Sequence, residues 1–133
     1  MKINQIQVRV RYAETDQMGV VYHGNYAQFF EMGRVEWLRK LGVSYREMEE
    51  NGVMLPVVSL TMNYKKPARY DDLLTITTIF KSQTSVRIEF DYEIHNEQGV
   101  LLTTGTSVLV FVDMKSGRPT APPEYITEKL ALL

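Results

Sequence analysis

The chain has no cysteine, which excludes a disulfide framework and any thiolate metal centre. Its two histidines, His23 and His95, stand 72 positions apart and offer no ligand spacing, so no metal is expected. Charge of one sign is also missing: 15 Lys+Arg oppose 16 Asp+Glu, a formal charge of −1, without the basic excess that neutralises nucleic-acid phosphates. No nucleic-acid partner is expected. There is no Gly-x-Gly-x-x-Gly, no phosphate loop and no Gly-x-Ser-x-Gly elbow, which removes the usual footing for nucleotide binding and serine-hydrolase chemistry. Long apolar runs are absent too. The longest uncharged stretches, such as Gln98 to Val112, are studded with Thr, Ser and Gly and fall short of the roughly 18–20 apolar residues of a membrane span. The opening MKINQIQVRVR has no apolar signal core, so the cytoplasm is the expected compartment.

What is present is a 133-residue chain, 44% hydrophobic and 23% charged, which fits one globular domain over residues 1–133 and not a disordered segment. From Ile3 to Arg11, Ile6, Val8 and Val10 alternate with polar residues, the period of a half-buried strand. The alternation stops at Tyr12, and residues 12–24 read as a long loop. From Asn25 to Leu41 the spacing becomes three and four, with Tyr26, Phe29, Phe30, Gly33 and Trp37 in one stripe widened by Val35, Leu38 and Leu41. This predicts a helix of about four turns with Asn25 as N-cap and Gly42 as terminator, apolar over so much of its surface that a sheet should wrap it. Ser44 and Glu47 have capping-box spacing for a second helix over Ser44–Asn51. Strands are predicted at Val57–Tyr64, Leu73–Lys81, Val86–His95 and Val100–Val112, the last two joined as a hairpin by Asn96-Glu97-Gln98-Gly99. One strand, a long helix and four successive strands make an α+β order. The tail after Asp113 reads as turns lying over the surface.

The chemistry converges on the loop that delivers the chain to the long helix. A helix N-terminus presents unpaired N–H groups and about half a positive charge, suited to a carbonyl oxygen or the oxyanion formed when that carbonyl is attacked. Asp16, seven residues before His23, supplies a carboxylate as general base or nucleophile on the same loop. A plainer reading has Asp16 capping a turn and His23 satisfied by backbone.

The set Tyr12-x-x-x-Asp16-x-x-Gly19-x-Val21-Tyr22-His23-x-x-Tyr26, with Glu31 and Arg34 on the helix, resembles the signature of the 4-hydroxybenzoyl-CoA thioesterase branch of the hotdog fold, particularly its Tol–Pal-associated acyl-CoA thioesterases. Tyr64-Lys65-Lys66-Pro67-Ala68-Arg69-Tyr70-Asp71-Asp72 and Asp113 with Gly117-Arg118-Pro119 resemble later blocks of that family. The resemblance implies a five-stranded antiparallel sheet wrapped around one long helix, and subunits that join their sheets as a homodimer or homotetramer with sites at the interface. It implies hydrolysis of an acyl-CoA or acyl-carrier-protein thioester, with Asp16 as the catalytic carboxylate and the backbone N–H of His23 polarising the carbonyl. A thiolate leaves without a strong acid, so no cofactor is required.

Tyr22, Gly24, Asn25, Tyr26 and Phe29 near the helix start, and Val57, Val58 and Ser59 on the facing strand, are candidates for substrate contact, although an aromatic stripe at helical spacing also builds core. Lys65, Lys66, Arg69, Lys81 and Arg87 are candidates for the coenzyme A phosphates, competing with ordinary solvated strand faces. Three rival readings follow from the same chain: a helix carboxylate, Glu31 or Glu36, as the base; a hotdog hydratase or dehydratase that leaves the thioester intact; and a non-catalytic module binding acyl-thioesters or carrier protein.

Overall fold

Alternation at the N-terminus produces strand β1 (Ile3–Arg9), and after the loop come helices α1 (Tyr26–Leu41) and α2 (Tyr45–Glu50). The remainder contributes β2 (Val53–Met54), β3 (Val57–Tyr64), β4 (Leu73–Thr84), β5 (Arg87–His95), β6 (Leu101–Val110), β7 (Val112–Asp113) and helix α3 (Glu124–Ala131). The computed structural model describes residues 2–133. Five strands form one sheet in the order β1-β4-β5-β6-β3, with antiparallel neighbours throughout, and β2 pairs with β7 in a two-stranded ribbon. The hairpin expected between β5 and β6 is present. Gly99 takes φ +78° and donates to the Asn96 carbonyl, while the Asn96 side chain accepts from the Gln98 and Val100 N–H groups.

Alternation in β5 buries Ile88, Phe90, Tyr92 and Ile94 on one face, and α1 lies against that face. The Phe30 ring stacks on Tyr92 at 4.4 Å, and Trp37 meets Phe90 at 5.0 Å and Phe80 at 5.5 Å. Two glycines let the helix come this close. A Cβ on Gly33 would stand 2.5 Å from Thr78 Oγ1 and 3.0 Å from Ile76 Cγ2 of β4. One on Gly105 of β6 would strike the Phe30 ring and, at 2.6 Å, the Thr61 carbonyl oxygen. The helix is thus seated by missing side chains on both partners.

Its ends differ from each other in how well they follow the sequence. Gly42 ends α1 in the left-handed region at φ +93° and donates to the Arg39 carbonyl, as expected of a terminator. Asn25 does not cap. Its backbone is already helical (φ −79°, ψ −15°), because a short 3₁₀ turn at His23–Asn25 leads into α1, and its side chain is drawn away to the Glu14 carbonyl. Ser44 does cap α2, its Oγ accepting from the Glu47 N–H at 3.0 Å.

The tail departs furthest from expectation. Pro122-Pro123 starts α3 instead of forming a surface turn: Pro123 has the fixed φ of a helix entry, its carbonyl accepts from Ile126, and Ile126 is fully buried with Leu130 and Leu133 packed beside it. No described helix is long and apolar enough to cross a membrane.

Candidate active site

The loop before α1 is built as a tight return. Thr15 and Val21 face each other in an isolated bridge, and the Asp16 N–H donates to the Val20 carbonyl at 2.9 Å. Gly19 closes the turn by donating to the Asp16 carbonyl at 3.0 Å, in the left-handed region at φ +77° where glycine alone is unstrained. The Asp16 carboxylate helps to form this turn, its Oδ1 accepting from the Met18 N–H at 2.8 Å. The plainer sequence reading therefore describes one oxygen of Asp16. Its Oδ2 has no hydrogen-bond partner among the described residues.

The loop is then tied to the helix start. The Glu14 carbonyl accepts from the Tyr22 N–H and from Asn25 Nδ2, both at 2.9 Å. The Glu14 carboxylate is buried and accepts from the Arg11 N–H at 2.7 Å. From the other side, the Tyr64 hydroxyl of β3 donates to the His23 carbonyl at 3.0 Å. Tyr26 is buried, and its hydroxyl accepts from the Ala68 N–H at 3.3 Å. Loss of water around this phenol holds its pKa above the ordinary value. The His23 and Gly24 N–H groups open the helical run, where no preceding turn accepts them.

These constraints leave a cleft of ≈ 260 Å³ lined by Asp16, Met18, Val20, His23, Tyr26, Tyr64 and Lys65-Lys66-Pro67. It joins a half-buried carboxylate, a helix start and two cations at one opening. Such a set can bind an electrophilic carbonyl by its oxygen and present a carboxylate or a carboxylate-activated water to its carbon. Among the described residues no group of acidic or histidine side chains converges to hold a metal ion.

A family model described as the thioesterase-like superfamily matches residues 10–130. The chain belongs to that superfamily. A putative acyl-CoA thioesterase of Bacillus subtilis, YneP, is 39% identical over 119 residues, covering 90% of this chain and 86% of that protein. The acyl-CoA thioester hydrolase YbgC of Escherichia coli is 37% identical over 119 residues, 90% and 89% of the two chains. A DHNA-CoA thioesterase structure from Staphylococcus aureus superposes with a TM-score of 0.94 at 38% identity, over 99% of this chain and 91% of that one. The sheet around one long helix is accordingly the hotdog fold that the sequence resemblance implied.

Within this thioesterase-like chain, Asp16, His23, Tyr26, Lys65 and Lys66 are brought together in the cleft. The other sequence candidates stand beside the cleft or away from it. Tyr22 is exposed, with its ring 4.4 Å from that of His23, and Gly24 follows His23 in the turn that opens the helical run, where an added Cβ would stand 2.7 Å from the Tyr22 ring and displace it. Asn25 acts through the Glu14 carbonyl, and Phe29 is fully buried in the core. Val58 and Ser59 are exposed on β3, the outer strand of the sheet. Arg69 adjoins the cleft through its bridge to Val20. Arg87 pairs with Val110, seven residues along β6 from the Thr103 that faces Tyr64, which puts it about 23 Å from the cleft end of its own sheet. Lys81 sits at the bulge of β4, 4.0 Å from Glu89.

Sequence reasoning passed over Tyr64 and Glu14 as working residues. The signal for Glu14 was its spacing of three from Arg11; Tyr64 ended a predicted strand and opened the second block of the family resemblance. The helix carboxylates are placed away from the cleft, Glu36 in an ion pair with Arg39 and Glu31 on a second cavity.

Proposed function

We propose that this protein is an acyl-CoA thioester hydrolase acting as a single domain in the cytoplasm, and that Asp16 and the start of α1 carry the reaction. The observation that carries this reading is that Asp16, whose Oδ2 accepts no hydrogen bond among the described residues, and His23, which opens the helical run, line the same cleft. The thioester carbonyl oxygen is held by the His23 and Gly24 N–H groups, and the developing negative charge is stabilised by them and by the helix dipole. Asp16 then either attacks the carbonyl carbon, expelling coenzyme A thiolate and leaving a mixed anhydride that water cleaves, or takes a proton from the water that attacks. Both routes consume one water and yield the free acid and the thiol. Lys65 and Lys66, at the cleft, and exposed Arg69 beside it, are positioned for the coenzyme's phosphates. Similarity to the putative acyl-CoA thioesterase YneP and the acyl-CoA thioester hydrolase YbgC supports the reading, and a carrier-protein thioester is its alternative substrate.

The assembly follows from the outer strand. Along β3 the apolar Val57, Val58 and Leu60 are exposed beside unpaired backbone groups, an edge that invites another strand. A second copy pairing β3 to β3 across a two-fold axis covers them and brings Val58 and Ser59 toward the partner's substrate, with two such dimers forming a tetramer. Light scattering at micromolar concentration is expected to return a dimer or tetramer mass; a monomer overturns the assembly.

The chemical test is thiol release from an acyl-CoA panel by the native protein beside Asp16→Asn, Glu31→Gln and Glu36→Gln. Turnover is expected to fall by at least about a hundredfold in Asp16→Asn alone. Near-normal turnover by that variant overturns the assignment of Asp16. Consumption of an enoyl-CoA without thiol release favours the hydratase rival.

A further inference from the structure

Arg34 is 6% exposed, yet no carboxylate pairs with it among the described residues. Its Nε donates to the Tyr45 hydroxyl at 2.8 Å and its Nη1 to the Tyr92 hydroxyl at 3.1 Å, and Tyr92 shares a 2.6 Å hydrogen bond with Ser107. Two neutral phenols are thin company for a buried guanidinium, which carries five N–H donors and keeps its charge. The unused donors belong to a side chain that lines a cavity of ≈ 380 Å³ with Ala27, Gln28, Glu31, Tyr45, Leu55, Val57 and Leu60. Glu31 is the one carboxylate there; it is exposed and makes no ion pair with Arg34.

The cavity lies in line with the cleft. On α1, Gln28, Glu31 and Arg34 follow one another at spacings of three, and Gly24, in the 3₁₀ turn at the carbonyl-binding end, lies four residues before Gln28. On β3, alternation puts Leu60, Met62 and Tyr64 on one face, opposite Ser107, Gly105 and Thr103 of β6. Leu60 lines the Arg34 cavity and Tyr64 lines the Asp16 cleft. The two openings thus lie along the same pair of elements, α1 and β3, with the carbonyl-binding start at one end and a buried cation farther along. From Tyr26 to Arg34 the helix rises about 12 Å.

We propose that the Arg34 cavity is a specificity pocket for acyl chains ending in a carboxylate, so that the preferred substrate is the monothioester of a dicarboxylic acid. This rests on the thioesterase reading and adds the chemistry of the far end of the acyl group. The carboxylate supplies the missing anion, accepting from the unused guanidinium N–H groups, while Ala27 and Leu55 cover the methylene chain beside the β3 edge that the second copy closes. A methyl terminus leaves the guanidinium unpaired, and a hydroxyl terminus brings no charge.

The test compares kcat/KM for straight-chain acyl-CoAs of equal length with methyl, hydroxyl or carboxylate termini, from adipoyl to dodecanedioyl. The carboxylate form is expected to lead the methyl form by about tenfold to a hundredfold at lengths that span the two openings, the range of one charge-assisted contact. At adipoyl length, too short to reach, the ratio is expected near one. In Arg34→Gln the long-chain ratio collapses toward one, mainly through KM, and Arg34→Lys restores part of it. Equal kcat/KM for the three termini at every length overturns the proposal, as does a hydroxyl form that matches the carboxylate. Should Arg34→Gln fail to fold, the native ratios still decide. If no thioester is hydrolysed at all, the functional reading fails separately, and calorimetry with free dodecanedioate against dodecanoate judges the pocket: tighter binding of the dicarboxylate upholds it, and equal or absent binding overturns it.

Discussion

Placing α1 on the sheet sets the height of the helix start over the cleft, and Gly33 is the position at which that height can be perturbed with a calculable result. In Gly33→Ala the new methyl would stand 2.5 Å from Thr78 Oγ1, an atom that is buried and without a hydrogen-bond partner among the described residues. Thr is β-branched and stiff at χ1, so it does not swing aside freely. Overpacking of this kind costs about 1–3 kcal/mol, while replacing a mid-helix glycine by alanine returns about 1 kcal/mol of helix propensity. The single variant should therefore be less stable by up to about 2 kcal/mol. Thr78→Ala removes the obstructing hydroxyl, leaving only Ile76 Cγ2 at 3.0 Å, so Gly33→Ala should be neutral or stabilising in that background. The coupling between the two sites is expected at about 1–2 kcal/mol, well outside the roughly 0.5 kcal/mol of independent positions. Urea unfolding followed by circular dichroism measures the cycle. A stabilising Gly33→Ala that adds simply to Thr78→Ala would falsify the account of how the helix is seated.

Asn25→Ala removes the side-chain bond to the Glu14 carbonyl and should cost about 1 kcal/mol of stability, with a larger proportional loss of turnover because the loop carrying Asp16 keeps only the Tyr22 N–H of its two ties at Glu14; an unchanged kcat refutes that coupling. Tyr26 and Tyr45 both have pKa values raised by burial, opposed in Tyr26 by the Ala68 N–H and in Tyr45 by Arg34. Because the folded values lie above the unfolded value of about 10, the stability they contribute is complete below that pH and is lost as pH rises through the folded values. Urea midpoints should fall on the alkaline side, less steeply in Tyr26→Phe and Tyr45→Phe; ultraviolet titration in which all tyrosines ionise at the ordinary value contradicts this.

The elements that were legible in the sequence are those whose period is set by one neighbour. β5 alternates cleanly because one face meets α1 and the other does not, and α1 shows its stripe because the sheet covers it. The cleft's carboxylate and helix start were legible as a motif. What stayed hidden depends on contacts between segments distant in sequence. Asn25 is a good cap by type, and only the Glu14 carbonyl arriving from eleven residues away redirects it. Tyr64 acquires its place from a hydrogen bond across 41 residues, and strand register sets Arg87 at the far end of its sheet from the cleft. The tail concealed a helix because Pro122-Pro123 signals a turn and a helix start equally well.

The most direct measurement is a crystal structure of the Asp16→Asn protein holding an uncleaved acyl-CoA. The account predicts the thioester oxygen at hydrogen-bond distance from the His23 or Gly24 N–H, with the substituted amide at position 16 beside the carbonyl carbon or one water away. A thioester seated in the cleft with its carbonyl turned from the start of α1, or beyond the reach of position 16, contradicts it.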